Sequence, residues 1–424
     1  MFGGYDFDET TLFLEISLLG SIVEYYDFGL YAVFAPVIGE LFFPSLSDFI
    51  QLLLTFSVFA VGFLMRPLGG LIFGYMGDKY GRKRALNLSI IGMAFATLTM
   101  GLLPGYNEIG IFAPLILLVV RMVQGLSIGG EGTGSAIFIM EHSSKGNLTF
   151  IGSLVMAANM FGTLSATLVG IVINNIYGLN EYNWRAGFIL GTVLGLFCSY
   201  LRKKSNETPV FTSIKNDNKI SKNPIRTILA SRRKELLLVV ALACVSTSVA
   251  YSIRGYLNTF LMEIMGYSIA QAFQFTSFCL LAMIVMLPLF GAVAEKLGQR
   301  RFLQICAVLI ILMVVPAFML IANSSNDVTK TYLGLLILAI LGSSISAPAY
   351  PYAIRVFPPE LRYSGVALSW NIGNALFGGT TPFIATVLVE RVSVIAPAYY
   401  LIATAVTFLV ITAVLTRRYR VEVR

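Results

Sequence analysis

A few charged side chains stand inside stretches that are otherwise apolar, and these are the residues with chemistry to offer. Glu24 and Asp27 lie about halfway along the first stretch. With Tyr31 they follow i, i+3, i+7 and share one helical face. A charge at the centre of a bilayer costs roughly 2.5–3.5 kcal/mol on insertion scales, so each one needs a reason. Two carboxylates on one face repel in a low dielectric, which makes them a proton carrier. The alternative is a structural ion pair with an arginine on another helix. Arg121, near the middle of the fourth stretch, cannot lose its proton. It would either modulate a nearby carboxylate or hold an anionic substrate through its planar fork.

Other candidates follow the same logic. Arg66, next to Pro67, lies towards one end of the second stretch. Arg254 is deep in the seventh, flanked at helical spacing by Tyr251 and Asn258. It reads as a ligand for a substrate carboxylate, or else as an outer-gate or snorkelling residue. Trp370, Asn371 and Asn374 make a polar-aromatic patch in the eleventh stretch, and Asn159 plays a similar part in the fifth. Buried amides can also do no more than bond neighbouring helices. Glu131 lies ten residues beyond Arg121, about 15 Å along a helix, and is expected near the cytoplasmic end, locking a gate loop.

The elements that position these residues are membrane helices. The 424 residues are 57% hydrophobic and only 12% charged, with mean hydropathy +0.79. A soluble domain carries about twice that charged fraction. Twelve apolar runs are readable, at roughly 12–38, 49–73, 85–104, 110–140, 148–176, 184–201, 235–262, 270–293, 302–322, 331–355, 364–389 and 395–416. This is an all-α polytopic membrane protein, expected as two six-helix bundles, 1–201 and 235–424, joined by a polar linker at 202–234. The linker holds ten Lys and Arg and is too polar to span.

The net charge of +8 does not point to nucleic acid. All Lys and Arg except Arg66, Arg121, Arg185, Arg254, Lys330 and Arg391 fall in segments that alternating topology puts on one side. That bias fixes orientation, with both termini cytoplasmic, as the basic ending Arg417-Arg418-Tyr419-Arg420 also suggests. The acidic start (Asp6, Asp8, Glu9) lacks the basic region of a cleavable signal peptide. Cys198, Cys244, Cys279 and Cys306 are scattered without CxxC spacing, so free thiols and no metal site are expected, and no cofactor. With a single His142 there is no clustered set for a membrane enzyme.

A loop motif ties the halves together. Gly74-Tyr-Met-Gly-Asp78-Lys79-Tyr-Gly81-Arg82-Lys83-Arg84 links the second run to the third. It returns 217 residues later as Gly291-Ala-Val-Ala-Glu295-Lys296-Leu-Gly298-Gln-Arg300-Arg301. Asp78, Lys79, Arg82, Glu131, Glu295 and Arg300 are therefore the gating candidates. Two repeats with one loop in the corresponding place in each is the layout of a secondary transporter. The glycine-rich run Gly125–Gly134 lacks the G-K-[ST] ending of a phosphate loop, and its small-xxx-small spacing reads as close helix packing.

The first loop resembles the G-x-x-x-D-[RK]-x-G-R-[RK] motif of the Major Facilitator Superfamily, and Arg121-Met-Val-Gln124-Gly125 resembles its R-x-x-q-G motif, associated with proton-coupled members. Glu24-Tyr-Tyr-Asp27-Phe-Gly-Leu-Tyr31, Arg66-Pro67-Leu-Gly-Gly, Gly129-Gly130-Glu131, Arg362-Tyr-Ser-Gly-Val and Asn371–Gly379 narrow the likeness to the metabolite:proton symporter family. That family includes carriers of α-ketoglutarate, citrate, shikimate, and proline or glycine betaine. The resemblance implies a monomeric, proton-coupled importer of a small carboxylate-bearing or zwitterionic metabolite in a bacterial cytoplasmic membrane. It carries roles onto Glu24, Asp27, Arg66, Asp78, Arg121 and Glu131, with substrate bound at the midplane between bundles. The osmosensing carriers of the family commonly carry a long coiled-coil tail, which is not seen here, weakening an osmosensor role while leaving osmolyte transport open. The drug antiporters' G-P-x-x-G pattern is also missing from Ala158–Gly162, which disfavours efflux.

Overall fold

The computed structural model describes residues 7–44, 47–143, 146–177, 182–324 and 327–418, so Tyr419 and Arg420 of the basic ending lie outside the described residues. Twelve long helical segments carry the chain. They are α1 (Phe7–Val33), α2 (Asp48–Tyr80), α3 (Arg82–Leu102), α4 (Phe112–His142), α5 (Leu148–Tyr177) and α6 (Arg185–Lys204) in the first half. In the second they are α7 (Arg233–Tyr251), α8 (Ile269–Leu297), α9 (Gln299–Ala322), α10 (Val328–Ser346), α11 (Arg362–Gly373) and α12 (Ala396–Arg418). Among the described residues, ten segments are long and apolar enough to cross a membrane. The other two, α1 and α6, fall short because Glu24 and Asp27 in one and Arg185 and Arg202 in the other lower their hydropathy. Large apolar side chains such as Leu64, Phe95 and Phe383 point outward, as a hydrocarbon solvent permits.

The basic loops are shorter than the hydropathy suggested. Helices expected to stop at 73 and restart at 85 instead run to Tyr80 and from Arg82, leaving Gly81 alone as the link. The second copy repeats this at Gly298, between Leu297 and Gln299. Polarity does not end a helix; positive φ does. Gly81 sits at φ 113° and Gly298 at φ 85°, where a side chain is strained. The stretch 202–234 likewise contains helices at Pro209–Asn216 and Pro224–Ser231.

The chain forms two compact units. The first comprises residues 1–142, 158–225 and 359–368; the second comprises 143–157, 226–358 and 369–424. Each therefore includes the start of one long helix from the opposite half of the sequence. In the first unit the glycines of α4 let it press against α2. A Cβ on Gly125 or Gly129 would collide with the α2 backbone at Gly62 and Arg66. That is helix packing, as the small-residue spacing implied. A core of Leu30, Phe34, Phe42, Trp184 and Phe188 fills the space among α1, its successor Ala35–Phe42, and α6. In the second unit α7 passes into two π-helical turns, Ser252–Tyr256 and Phe260–Ile264, and α11 into a third, Asn374–Gly378. Such turns are frequent at functional sites.

Candidate functional site

In the first unit a hydrogen-bond relay joins α4 to α1. Arg121 Nη1 donates to Gln124 Oε1 at 2.6 Å, and Gln124 Nε2 donates to Thr97 Oγ1 at 3.0 Å. Thr97 Oγ1 in turn donates to Asp27 Oδ2. Helical spacing puts Arg121 and Gln124 on one face of α4, while α3 supplies the hydroxyl between them and α1. Asp27 and Arg121 form no direct ion pair; they communicate through two neutral side chains. All four are buried. Gly191 of α6 makes room for the carboxylate, since a Cβ there would stand 2.5 Å from Asp27 Oδ1.

Aromatic faces surround the cations. The Arg121 guanidinium lies 4.0 Å from the Tyr31 ring centroid and near Phe59, and Arg66 lies 4.4 Å from Phe63. Both arginines also flank Phe28. Tyr31 is pinned by its hydroxyl, which donates to Thr55 O at 3.0 Å. Arg121 Nε and Nη2 and Asp27 Oδ1 are buried without a hydrogen-bond partner among the described residues. An arginine fork with one side filled by Gln124 and the other unpartnered has the donors to bind a carboxylate. Glu24 is buried one turn before Asp27, and Asn159 is buried on α5. The fold thus brings Arg66 and Arg121 to Phe28, sets Tyr31 on Arg121, and ties Asp27 to Arg121 through the relay. Thr97 and Gln124 complete the relay, and neither stood among the site candidates: a threonine in an apolar run carries no signal of its own.

In the second unit Arg254 rises from the first π-turn and lies 4.5 Å from the Tyr251 ring. The π-turn of α11 packs on this part of α7: a Cβ on Gly378 would meet Asn374 Oδ1 at 2.5 Å and Tyr251 at 2.9 Å. Asn258 is drawn away towards α8, where Thr276 Oγ1 donates to its Oδ1 at 2.6 Å. Trp370 packs against Tyr350 at 4.5 Å, and Asn371 and Asn374 are buried beside it in sequence.

The gating candidates separate into distinct roles. Asp78 accepts from the amides of Tyr363 and Ser364 at 3.1 and 2.8 Å, capping the first turn of α11. Arg82 pairs with Asp78 at 3.4 Å and with Glu141 at 3.2 Å, and Glu141 also takes Arg362 at 2.9 Å. In the second unit Glu295, the repeat counterpart of Asp78, accepts from Thr149 N at 2.5 Å on the first turn of α5 and pairs with Arg355 at 3.3 Å. Lys79 leaves this pattern and stacks on Tyr75. Arg300 makes no ion pair among the described residues. Glu131, expected to lock the loop, instead takes Arg202 of α6 in a bidentate pair, with Ser89 and Ser135 donating at 2.9 and 3.0 Å. Glu141, Arg202 and Arg355 had looked like ordinary charges where apolar runs end; only the packing gives them partners.

One carboxylate supports the first loop from the linker. Glu207 accepts from the amides of Arg82 at 3.1 Å and Lys83 at 3.2 Å, capping α3. Burial raises its carboxyl above the ordinary value of 4.5, against the opposing pull of the amides of Thr208 and Lys83.

The sequence matches the Major Facilitator Superfamily over residues 17–368 and again over 271–424. It is 34% identical over 408 residues to the glycine betaine/proline/ectoine/pipecolic acid transporter OusA of Dickeya dadantii, covering 93% of this chain and 80% of that protein. It is 36% identical to a putative proline/betaine transporter of Staphylococcus aureus, covering 93% of this chain and 86% of that one. Among solved structures, the proton:xylose symporter XylE bound to 6-bromo-6-deoxy-D-glucose superposes with a TM-score of 0.76 at 16% identity, covering 98% of this chain and 96% of that one, which speaks for the fold. With twelve membrane helices, a loop motif in each half and relatives matched over nearly its whole length, the chain is a multi-pass membrane transporter and belongs to the Major Facilitator Superfamily, in its metabolite:proton symporter family.

Proposed function

We propose that the protein imports a small zwitterionic or carboxylate-bearing metabolite together with protons, by alternating access. The observation that carries this reading is the relay from Arg121 through Gln124 and Thr97 to Asp27. A substrate carboxylate on the unpartnered side of Arg121 draws on the same guanidinium that the relay links to Asp27, so substrate and proton affect each other through three hydrogen bonds. Asp27 is the proton carrier, with Glu24 one turn away. The relatives' names, proline, glycine betaine, ectoine and pipecolic acid, all describe zwitterions, which favours an osmolyte of that kind. Arg254, Asn371 and Asn374 are the polar groups of the second unit proposed to contact substrate. The bundles 1–201 and 235–424 rock about the linker 202–234, and the helix caps at Asp78 and Glu295 are made and broken as they do. One chain suffices for this cycle, in a bacterial inner membrane with both termini cytoplasmic.

The test is uptake of labelled proline and glycine betaine into proteoliposomes with an acid exterior. Accumulation above equilibrium is expected for the wild type, and Asp27→Asn is expected to bind substrate and equilibrate it without concentrating it. Full accumulation by both Asp27→Asn and Glu24→Gln would remove the proton assignment. Expulsion of substrate in exchange for protons would reverse the direction to efflux.

A further inference from the structure

We infer that the second unit carries an anion site at the start of α9, suited to a phosphate group. A cavity of about 720 Å³ opens where α8 meets α9, lined by Glu295, Lys296, Arg300, Arg301, Tyr352 and Arg355. Its charges do not cancel. Glu295 is spent on Arg355 and on the Thr149 amide, while Lys296, Arg300 and Arg301 make no ion pair or hydrogen bond among the described residues. Tyr352 is 1% exposed, and its hydroxyl also lacks a partner among the described residues. That hydroxyl lies within electrostatic reach of Arg300 and can donate to an acceptor bound in the cavity. The residues that open α9, Gln299 to Arg301, line the same cavity, and no side chain caps the helix start.

The internal repeat says what belongs there. Gly298, Gln299 and Arg300 stand 217 residues after Gly81, Arg82 and Lys83. In the first unit those positions already bind an oxyanion, because Glu207 seats its carboxylate on the amides of Arg82 and Lys83. Lys83 Nζ is occupied as well, donating to Lys203 O and Ser205 O at 2.8 and 2.6 Å. The second unit keeps the same glycine link and helix start, has Gln299 where the first has Arg82, leaves Lys296, Arg300 and Arg301 without ion pairs, and holds no carboxylate on the amides among its described residues. Two amides, three unpaired cations and a phenol exceed what a carboxylate can accept, and suit the oxygens and charge of a phosphate. The site lies where the membrane spans end, so the phosphate can come from an anionic lipid headgroup or from solution.

Thermal melting of the purified full-length protein in neutral detergent tests this. Inorganic phosphate is compared with chloride at matched ionic strength, and a short-chain phosphatidylglycerol with the matching phosphatidylcholine. Saturable stabilisation is expected from one or both phosphate probes. Arg300→Ala/Arg301→Ala should weaken it about tenfold or more, and Tyr352→Phe several-fold. Arg300 and Arg301 are exposed, so the ligand-free melting temperature of the double variant should stay near wild type and report that it folds. A response to phosphate alone makes the ligand soluble; a response to phosphatidylglycerol alone makes it a headgroup; a response to both makes the phosphate group itself the determinant. The inference is overturned if neither probe exceeds its control, or if the double variant responds as the wild type does.

Discussion

At the scale of single residues, the arrangement around Arg121 separates charge from geometry. Gln124 takes one amino group and Tyr31 the flat face, which leaves Nε and Nη2 side by side. Lysine would keep the charge and lose both the fork and the stack. Arg121→Lys is therefore expected to raise the KM for substrate about tenfold or more, measured as initial uptake at fixed pH gradient. Thr97 has a different task, since its hydroxyl accepts from Gln124 and donates to Asp27. Thr97→Val removes the link while nearly preserving shape. Substrate binding in detergent should change little, accumulation driven by the proton gradient should fall, and stability should drop by about 1–3 kcal/mol for the groups left unpaired. Unchanged coupling in this variant would mean that the relay holds side chains in place and passes nothing on.

At the scale of elements, two glycines in the same repeat position make a controlled comparison. Both links need a positive φ, which costs a residue with a side chain about 1–3 kcal/mol. A Cβ on Gly298 meets nothing within 4 Å, whereas one on Gly81 collides with the Glu207 carboxylate. Gly81→Ala should thus lower the melting temperature more than Gly298→Ala, because it loses the cap on α3 as well. Glu207 also gives α3 a pH dependence. Its carboxyl holds a proton better in the folded protein than in the unfolded chain. Its contribution is then fully present below the ordinary value of 4.5 and is lost as the pH rises through the raised one. Glu207→Gln should flatten that segment of the melting-temperature profile between acid and neutral pH, and a profile identical to wild type would show that another group sets the slope.

At the scale of the whole molecule, each compact unit includes a helix start from the opposite half of the sequence, and each start is capped by a loop carboxylate. Asp78 holds the first turn of α11 and Glu295 the first turn of α5. A cap of this kind contributes about 1 kcal/mol. Asp78→Ala/Glu295→Ala should then shift the balance between the transporter's arrangements by about 2 kcal/mol, enough to move a minor state into view. Cysteine accessibility on the first turns of α5 and α11, compared with and without substrate, would register the shift. Equal labelling in wild type and variant would make the caps structural only.

The sequence alone determined the transporter class, the helix count and the repeat, because each is written in properties that survive without a fold. Hydropathy over some twenty residues identifies a membrane helix wherever it packs, and a loop motif recurring at a fixed offset exposes the duplication. It also marked Asp27, Arg121, Asp78 and Glu295, because an ionised group in an apolar run is costly and stands out. What it did not mark were the partners. Thr97, Glu141, Arg202 and Glu207 are ordinary in composition and gain meaning only from distance, and Gln124, although part of the Arg121–Gly125 motif, takes its role only from Thr97 beside it. Arg202 meets Glu131 across 71 residues, and Glu207 reaches α3 across 125. Hydropathy also set the basic loops too long, since polarity does not end a helix. Only the tertiary structure decided which charges meet, because that choice belongs to helix packing, fixed by glycine contacts such as Gly125 on Gly62 and Gly129 on Arg66.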